Sequence, residues 1–116
     1  MESFNFGQAL ELLKAGKLVQ RAGWNGKNMF IFMRPADVLN QTFIVNTVKS
    51  LPQSLKNYYA ANINKGIDAA EKAYIGEGEV LFTAYLCMKA ADESIVNGWL
   101  ASQTDMLATD WQEINF

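Results

Sequence analysis

Between positions 97 and 111 the chain reads Asn-Gly-Trp-Leu-Ala-Ser-Gln-Thr-Asp-Met-Leu-Ala-Thr-Asp-Trp. Two tryptophans, Trp99 and Trp111, bracket four short polar residues, Ser102, Gln103, Thr104 and Asp105. Ser102 with Asp105 three positions on has the pattern of a reciprocal helix N-terminal cap. A capped N-terminus turns unpaired backbone N–H groups outward, where they attract anions. An indole beside such a turn offers a flat apolar face to a ring. Donors, an anion-friendly backbone and an aromatic platform read together as a small-molecule pocket, with a nucleotide as a natural occupant. The plainer reading makes Trp99 and Trp111 core residues and Ser102 the cap of one short turn; residue types alone favour it.

A second stretch that invites chemistry is Arg21-Ala22-Gly23-Trp24-Asn25-Gly26-Lys27. Asn-Gly is a strong hairpin signal because both residues tolerate positive φ. Trp24 is costly in a plain hairpin loop, since an exposed indole needs a partner or a ligand to cover it. Arg21 and Lys27 flank it and are suited to phosphate. Trp24 therefore reads either as a packing or interface residue or as a stacking surface. Phe6 has the same two readings, with core packing the simpler one.

Catalysis is harder to assemble. The chain has no histidine, which removes the commonest general base and the commonest metal ligand. Ser102 and Cys87 thus lack an evident activating base. Cys87 lies in an apolar run and is expected to be buried and inert. Asp105 and Asp110, five residues apart across a helix end, do not address one substrate bond. No carboxylate cluster has metal-site spacing, and no glycine loop cradles a phosphate. A binding protein without cofactor or metal is the expectation.

Composition narrows the partners. Half of the 116 residues are hydrophobic and 12% are aromatic, enough for one modest core in a single domain. The net charge is −2. With the charges scattered, no basic stripe marks a DNA or RNA surface. The single cysteine excludes a disulfide framework and points to a reducing compartment. No apolar run approaches the ~20 residues of a membrane span, and the first residues do not read as a secretory signal.

The elements that must position these residues follow from local pattern. Asn5 and Gln8 make a capping box for a first helix, with Phe4 against Ala9 as its staple. Phe6, Ala9, Leu10, Leu12 and Leu13 share its apolar side, and Gly16 ends it. Residues 18–22 and 29–33 read as strands flanking the Trp24 loop. Pro35 closes the second. In residues 37–50, Thr42-Phe43-Ile44-Val45 favours strand. Pro52 suits the first turn of a middle helix carrying Leu51, Leu55 and the tyrosines. Residues 62–78 read as a mobile loop in which residues 67–74 hold a helical turn or two. Residues 80–88 read as one central strand and 94–96 as a short return partner. A helix over 104–108 and a final strand over 111–116 complete an α+β fold: a small twisted antiparallel sheet with an N-terminal helix and a middle helix packed on it.

Several blocks resemble a known family. Asn5-Phe6-Gly7-Gln8-Ala9-Leu10, the run 21–27, Tyr85-Leu86-Cys87-Met88-Lys89, and above all Gly98-Trp99-Leu100-Ala101-Ser102-Gln103-Thr104-Asp105-Met106-Leu107-Ala108 with Asp110-Trp111 are similar to the second type of phage Thoeris anti-defence proteins. The resemblance covers the first 34 and the last 32 or so residues, and leaves about 36–79 as a variable insertion. Ala84 stands where the pattern expects proline, and Glu93 where it expects glycine.

The resemblance implies a sponge. It would bind, without cleaving, a cyclic ADP-ribose-type signal (glycocyclic ADP-ribose) made by a TIR-domain enzyme, and so block the Thoeris effector. It also implies a homotetramer in the cytoplasm of the infected bacterial host, with cyclic di- or trinucleotides as further ligands. Phe6 and Trp24 become candidate stacking surfaces. Arg21, Asn25, Gly26, Ser102, Gln103, Thr104 and Asp105 become candidate polar contacts to ribose and pyrophosphate. Two other classes stay open: a phage structural or assembly module, and a weak nucleotide hydrolase.

Overall fold

The computed structural model describes residues 2–24, 27–61 and 78–116. The described elements are α+β and fall into two compact units, residues 1–35 with 84–116, and residues 36–83.

The first unit is a five-stranded antiparallel sheet covered by one helix. Helix α1 (Phe6–Lys14) starts on the expected capping box: the Asn5 side chain accepts from the Gln8 N–H and the Gln8 side chain accepts from the Asn5 N–H. It ends in a Schellman turn, in which Gly16 N–H donates to Leu13 O and Lys17 N–H to Leu12 O. Gly16 has φ +87°, a conformation that glycine adopts without a Cβ penalty. Strands β1 (Leu18–Arg21), β2 (Phe30–Arg34), β5 (Tyr85–Lys89), β6 (Ile95–Asn97) and β7 (Trp111–Ile114) pair in the order β6-β5-β2-β1-β7. Ala9 and Leu13 of α1 lie against Val19, Ile31, Met88 and Trp111, forming the core. Trp111 is fully buried, and its ring meets Phe6 at 5.3 Å. Trp24 and Trp99 pack on the core while partly exposed.

The second unit holds a two-stranded sheet, β3 (Asp37–Asn40) with β4 (Glu79–Phe82), and two helices, α2 (Gln41–Asn46) and α3 (Gln53–Ala61), packed together. Its ends join strands that are neighbours: Arg34 of β2 pairs with Tyr85 of β5. Strands β2 and β5 thus pair as neighbours whose connection is this second unit.

Two sequence expectations need correction. Thr42–Val45 is helical, not extended. Asn40 caps α2 by accepting from the Thr42 N–H at 2.8 Å, and Ile44 becomes the buried contact, so capping and packing override β-branched preference. Residues 80–88 are not one strand. The chain leaves β4 after Phe82 and begins β5 at Tyr85, in a different sheet. The middle of the five-stranded sheet is β2. A largely apolar run with one threonine, Thr83, at the break does not register that change of partner. The Asn25-Gly26 turn and the expectations for residues 62–77 lie outside the described residues. Among the described residues no helix is long and apolar enough to cross a membrane.

Candidate functional site

The site is built at one end of the first unit, where β1 runs out and β7 begins. Arg21 closes β1 opposite Trp111, the first residue of β7. Past Arg21 the chain makes a single 3-10 turn, Ala22–Trp24, that carries the Trp24 indole. Just before β7 lie Asp110 and the short helix α4 (Gln103–Leu107). Trp99 follows β6 and is anchored by its N–H donating to Leu86 O at 2.7 Å.

Three indoles converge here. Trp24 meets Trp111 edge-to-face at 5.4 Å and Trp99 edge-to-face at 6.3 Å; Trp99 meets Trp111 at 6.4 Å. Such perpendicular packing sets the electropositive edge of one ring against the π-face of the next. Trp111 is the buried floor, whereas Trp24 and Trp99 keep part of their surface open. Its indole N–H donates to the Asp105 carbonyl at 2.9 Å and fixes α4 to the floor.

The polar side of the site is one continuous network. Ser102 caps α4 reciprocally: its hydroxyl accepts from the Asp105 N–H at 3.0 Å and donates to Asp105 Oδ2 at 2.8 Å, and its own N–H donates to the same oxygen at 3.0 Å. The other oxygen of Asp105 accepts from Arg21 Nη1 at 2.8 Å. Arg21 Nε donates to Asp110 Oδ1 at 2.9 Å, and Asp110 Oδ2 accepts from the Gly23 N–H at 2.8 Å. The arginine thus spans two carboxylates, Asp105 inside α4 and Asp110 three residues past its end. Both pairs are mostly shielded from solvent.

The charges respond accordingly. Hydrogen bonding to Asp110 holds the Arg21 guanidinium above its ordinary range, against partial desolvation. The Arg21 bond keeps the Asp110 carboxyl below the carboxylate range, helped by Gly23. Partial burial pushes Asp105 upward, but the Ser102 hydroxyl, Arg21 and the Ser102 N–H together bring it below its usual value. All three groups are held in their charged forms.

The structure brings Phe6, Arg21, Trp24, Trp99, Ser102 and Asp105 into one neighbourhood, while Gln103 and Thr104 are exposed on α4. Asn25 and Gly26 fall outside the described residues. Two sequence readings change in meaning. Arg21 has its Nε and Nη1 engaged by two carboxylates, so it organises the site before any phosphate arrives. The capped turn carries its own anion, Asp105, which lowers its appeal to a second one. Asp105 and Asp110 do converge, on a cation and not on a substrate bond. What the sequence reading missed is Gly23, where a Cβ would stand 3.0 Å from Asp110 Oδ2, and Asp110 itself. The register of β1 on β7 reveals both, and no local pattern does.

Among the described residues no cluster of three potential ligands is placed to hold a metal. A separate groove of about 530 Å³ lies beside α1 and β7, lined by Phe4 and Leu12 but also by Glu2, Glu11 and Glu113. Three carboxylates make it a poor seat for a pyrophosphate. Cys87 is buried, and its thiol donates to Asn97 Oδ1 at 3.6 Å.

Comparison with known proteins adds an independent finding. A model of the Thoeris anti-defense 2-like domain matches residues 4–114. A curated relative, Thoeris anti-defense 2 of Bacillus phage SP01, is 37% identical over 114 residues, spanning 96% of this chain and 94% of the relative.

Proposed function

The chain belongs to the Thoeris anti-defense 2-like family, and on that premise we propose that it protects a phage by binding and withholding a cyclic ADP-ribose-type signal, without cleaving it. The signal, glycocyclic ADP-ribose made by a TIR-domain enzyme, is held between the open faces of Trp24 and Trp99 and the Ser102–Asp105 turn. Cyclic di- and trinucleotides are further ligands, and the working form is a homotetramer in the cytoplasm of the infected host.

The observation that carries this reading is the junction itself: two partly open indoles beside a capped turn, supplied by segments some eighty positions apart and tied by Arg21. Its chemistry suits retention. The described network offers only weak bases, because both carboxylates are paired with Arg21 and held below the ordinary carboxylate range. Cys87 is sequestered from the site's solvent face. Preorganised rings and locked hydrogen bonds reduce the ordering cost of association, which is what a tight binder needs. Asp105 favours ribose hydroxyls over phosphate, since like charges repel.

The test is to incubate the purified protein with glycocyclic ADP-ribose, remove free ligand, denature by heat and analyse the released nucleotide. Intact ligand in near-stoichiometric amount is the expected result. A ring-opened product would make the protein a hydrolase. No retained nucleotide from the cyclic ADP-ribose, dinucleotide or trinucleotide classes would leave an assembly module as the better account. Base stacking contributes ~1–3 kcal/mol per base, so Trp24→Ala should weaken binding by that order.

A further inference from the structure

We infer that Asp110, a residue that need not touch the ligand, is the positioning residue that sets the orientation of the Trp24 indole; this rests on the binding role proposed for Trp24. The Asp110 carboxylate faces two donors on either side of one short turn. Oδ1 accepts from Arg21 Nε at 2.9 Å and Oδ2 from the Gly23 N–H at 2.8 Å, while the Asp110 backbone carbonyl accepts from the Ala22 N–H at 3.0 Å. Three consecutive residues are thereby fixed to one, immediately before the tryptophan. Gly23 allows this closeness, because a Cβ there would sit 3.0 Å from Oδ2 and 3.7 Å from Arg21 Nη2. Ring packing on Trp111 and Trp99 holds the indole from the far side, while the backbone of this single three-residue 3-10 turn is tied at its start to Asp110.

The arrangement needs a carboxylate. An amide has one acceptor oxygen and one donor nitrogen, so in Asp110→Asn one of the two N–H groups must face another N–H. Arg21 continues the connection to Asp105 and so to the Ser102 cap. A change at Asp110 is therefore felt by the indole on one side of the site and by the polar turn on the other.

A double-mutant cycle tests the inference, with glycocyclic ADP-ribose as the probe and calorimetric affinity as the readout. Asp110→Asn alone is expected to weaken binding about tenfold, the size of one charge-assisted hydrogen bond. In the Trp24→Ala background the same change should cost less than about twofold, because residues acting through one another are non-additive. Additive losses would overturn the inference, since a role confined to fold stability does not depend on the indole at position 24. A second readout needs no ligand. The near-ultraviolet circular dichroism of the indole cluster should change in Asp110→Asn at temperatures where the far-ultraviolet spectrum is unchanged, and an identical near-ultraviolet spectrum would also refute it. If the wild-type protein binds no nucleotide, the functional reading fails while the spectroscopic comparison still decides the role of Asp110. Should Asp110→Asn not fold, Gly23→Ala, which presses on Oδ2 and keeps every charge, is put through the same measurements and the same outcomes decide.

Discussion

At the scale of single residues, Glu93 stands out. It has φ +74°, a left-handed conformation that costs an L-residue roughly 1–2 kcal/mol. It lies in the turn between β5 and β6, where the Glu93 N–H donates to Ala90 O. The resemblance predicts glycine here, and a left-handed backbone is the conformation glycine adopts without a Cβ penalty. In partial compensation, the exposed Glu93 carboxylate accepts from Lys89 Nζ at 2.8 Å. Such an exposed pair contributes at most about 1 kcal/mol. Glu93→Gly should therefore stabilise the protein by up to about 1 kcal/mol, after allowing for the freedom glycine returns to the unfolded chain. Thermal melting checks this; a lower Tm would show that the Lys89 pair outweighs the strain. Asp105 and Asp110 supply a second prediction. Both carboxyls are held below the ordinary value near 4 in the folded state. Groups depressed on folding contribute stability that is full above their unfolded pKa and is lost as pH falls through the folded one. The melting temperature should thus fall on acidification below about pH 4. Asp110→Asn should flatten that fall, and an unchanged slope would remove Asp110 from the linkage.

At the scale of elements, caps decide more than propensities. The Asn5–Gln8 and Ser102–Asp105 boxes were both legible in sequence; α1 begins directly after its cap, and α4 begins at Gln103, one residue before the expected start at 104. Helix α4 is five residues long and cannot stand on propensity alone. Ser102→Ala removes a hydroxyl that both caps α4 and holds Asp105, so it should cost about 1 kcal/mol, with Ser102→Thr retaining most of it. Denaturant unfolding of the two variants measures this, and equal losses would show that the backbone alone carries the turn. By contrast, Thr42–Val45 has strand-forming residue types yet is helical, because Asn40 caps it and Ile44 finds the interior. The break between β4 and β5 was invisible for a related reason. Val80–Leu81–Phe82 and Tyr85–Leu86–Cys87 are equally apolar, but they pair with different partners.

At the scale of the whole molecule, two apolar side chains are left nearly bare beside the site: Leu100 is 88% exposed and Leu107 is 80% exposed. Met106 on the same helix, and Ile95 and Val96 on the edge strand β6, are also exposed. An excess of exposed apolar side chains of this size is what a surface covered by another chain presents. We expect light scattering to give the mass of a tetramer for the wild-type protein and a smaller mass for a Leu100→Asp, Leu107→Asp variant. A wild-type monomer would refute the proposed assembly. The unit formed by residues 36–83 enters and leaves through the paired residues Arg34 and Tyr85. A segment whose ends are already neighbours adds little loop-closure entropy to the sheet, and the family match runs through it, over residues 4–114.

What the sequence determined by itself is what short-range forces determine. Caps, helix stops and alternating apolar residues act over a few positions, and they specified the α+β class, helix α1, strands β1 and β2, and the Ser102 turn. Blocks of unusual residues carrying the family resemblance also marked Trp24 and Trp99 as worth placing together. Only the tertiary structure decided what they are placed with. Arg21 meets Asp105 and Asp110 across eighty-four and eighty-nine positions of chain. That meeting depends on the register of β1 against β7, a property of two strands that neither contains alone. The same long-range pairing makes Arg21, read in sequence as a candidate phosphate contact, the cation that bridges two carboxylates.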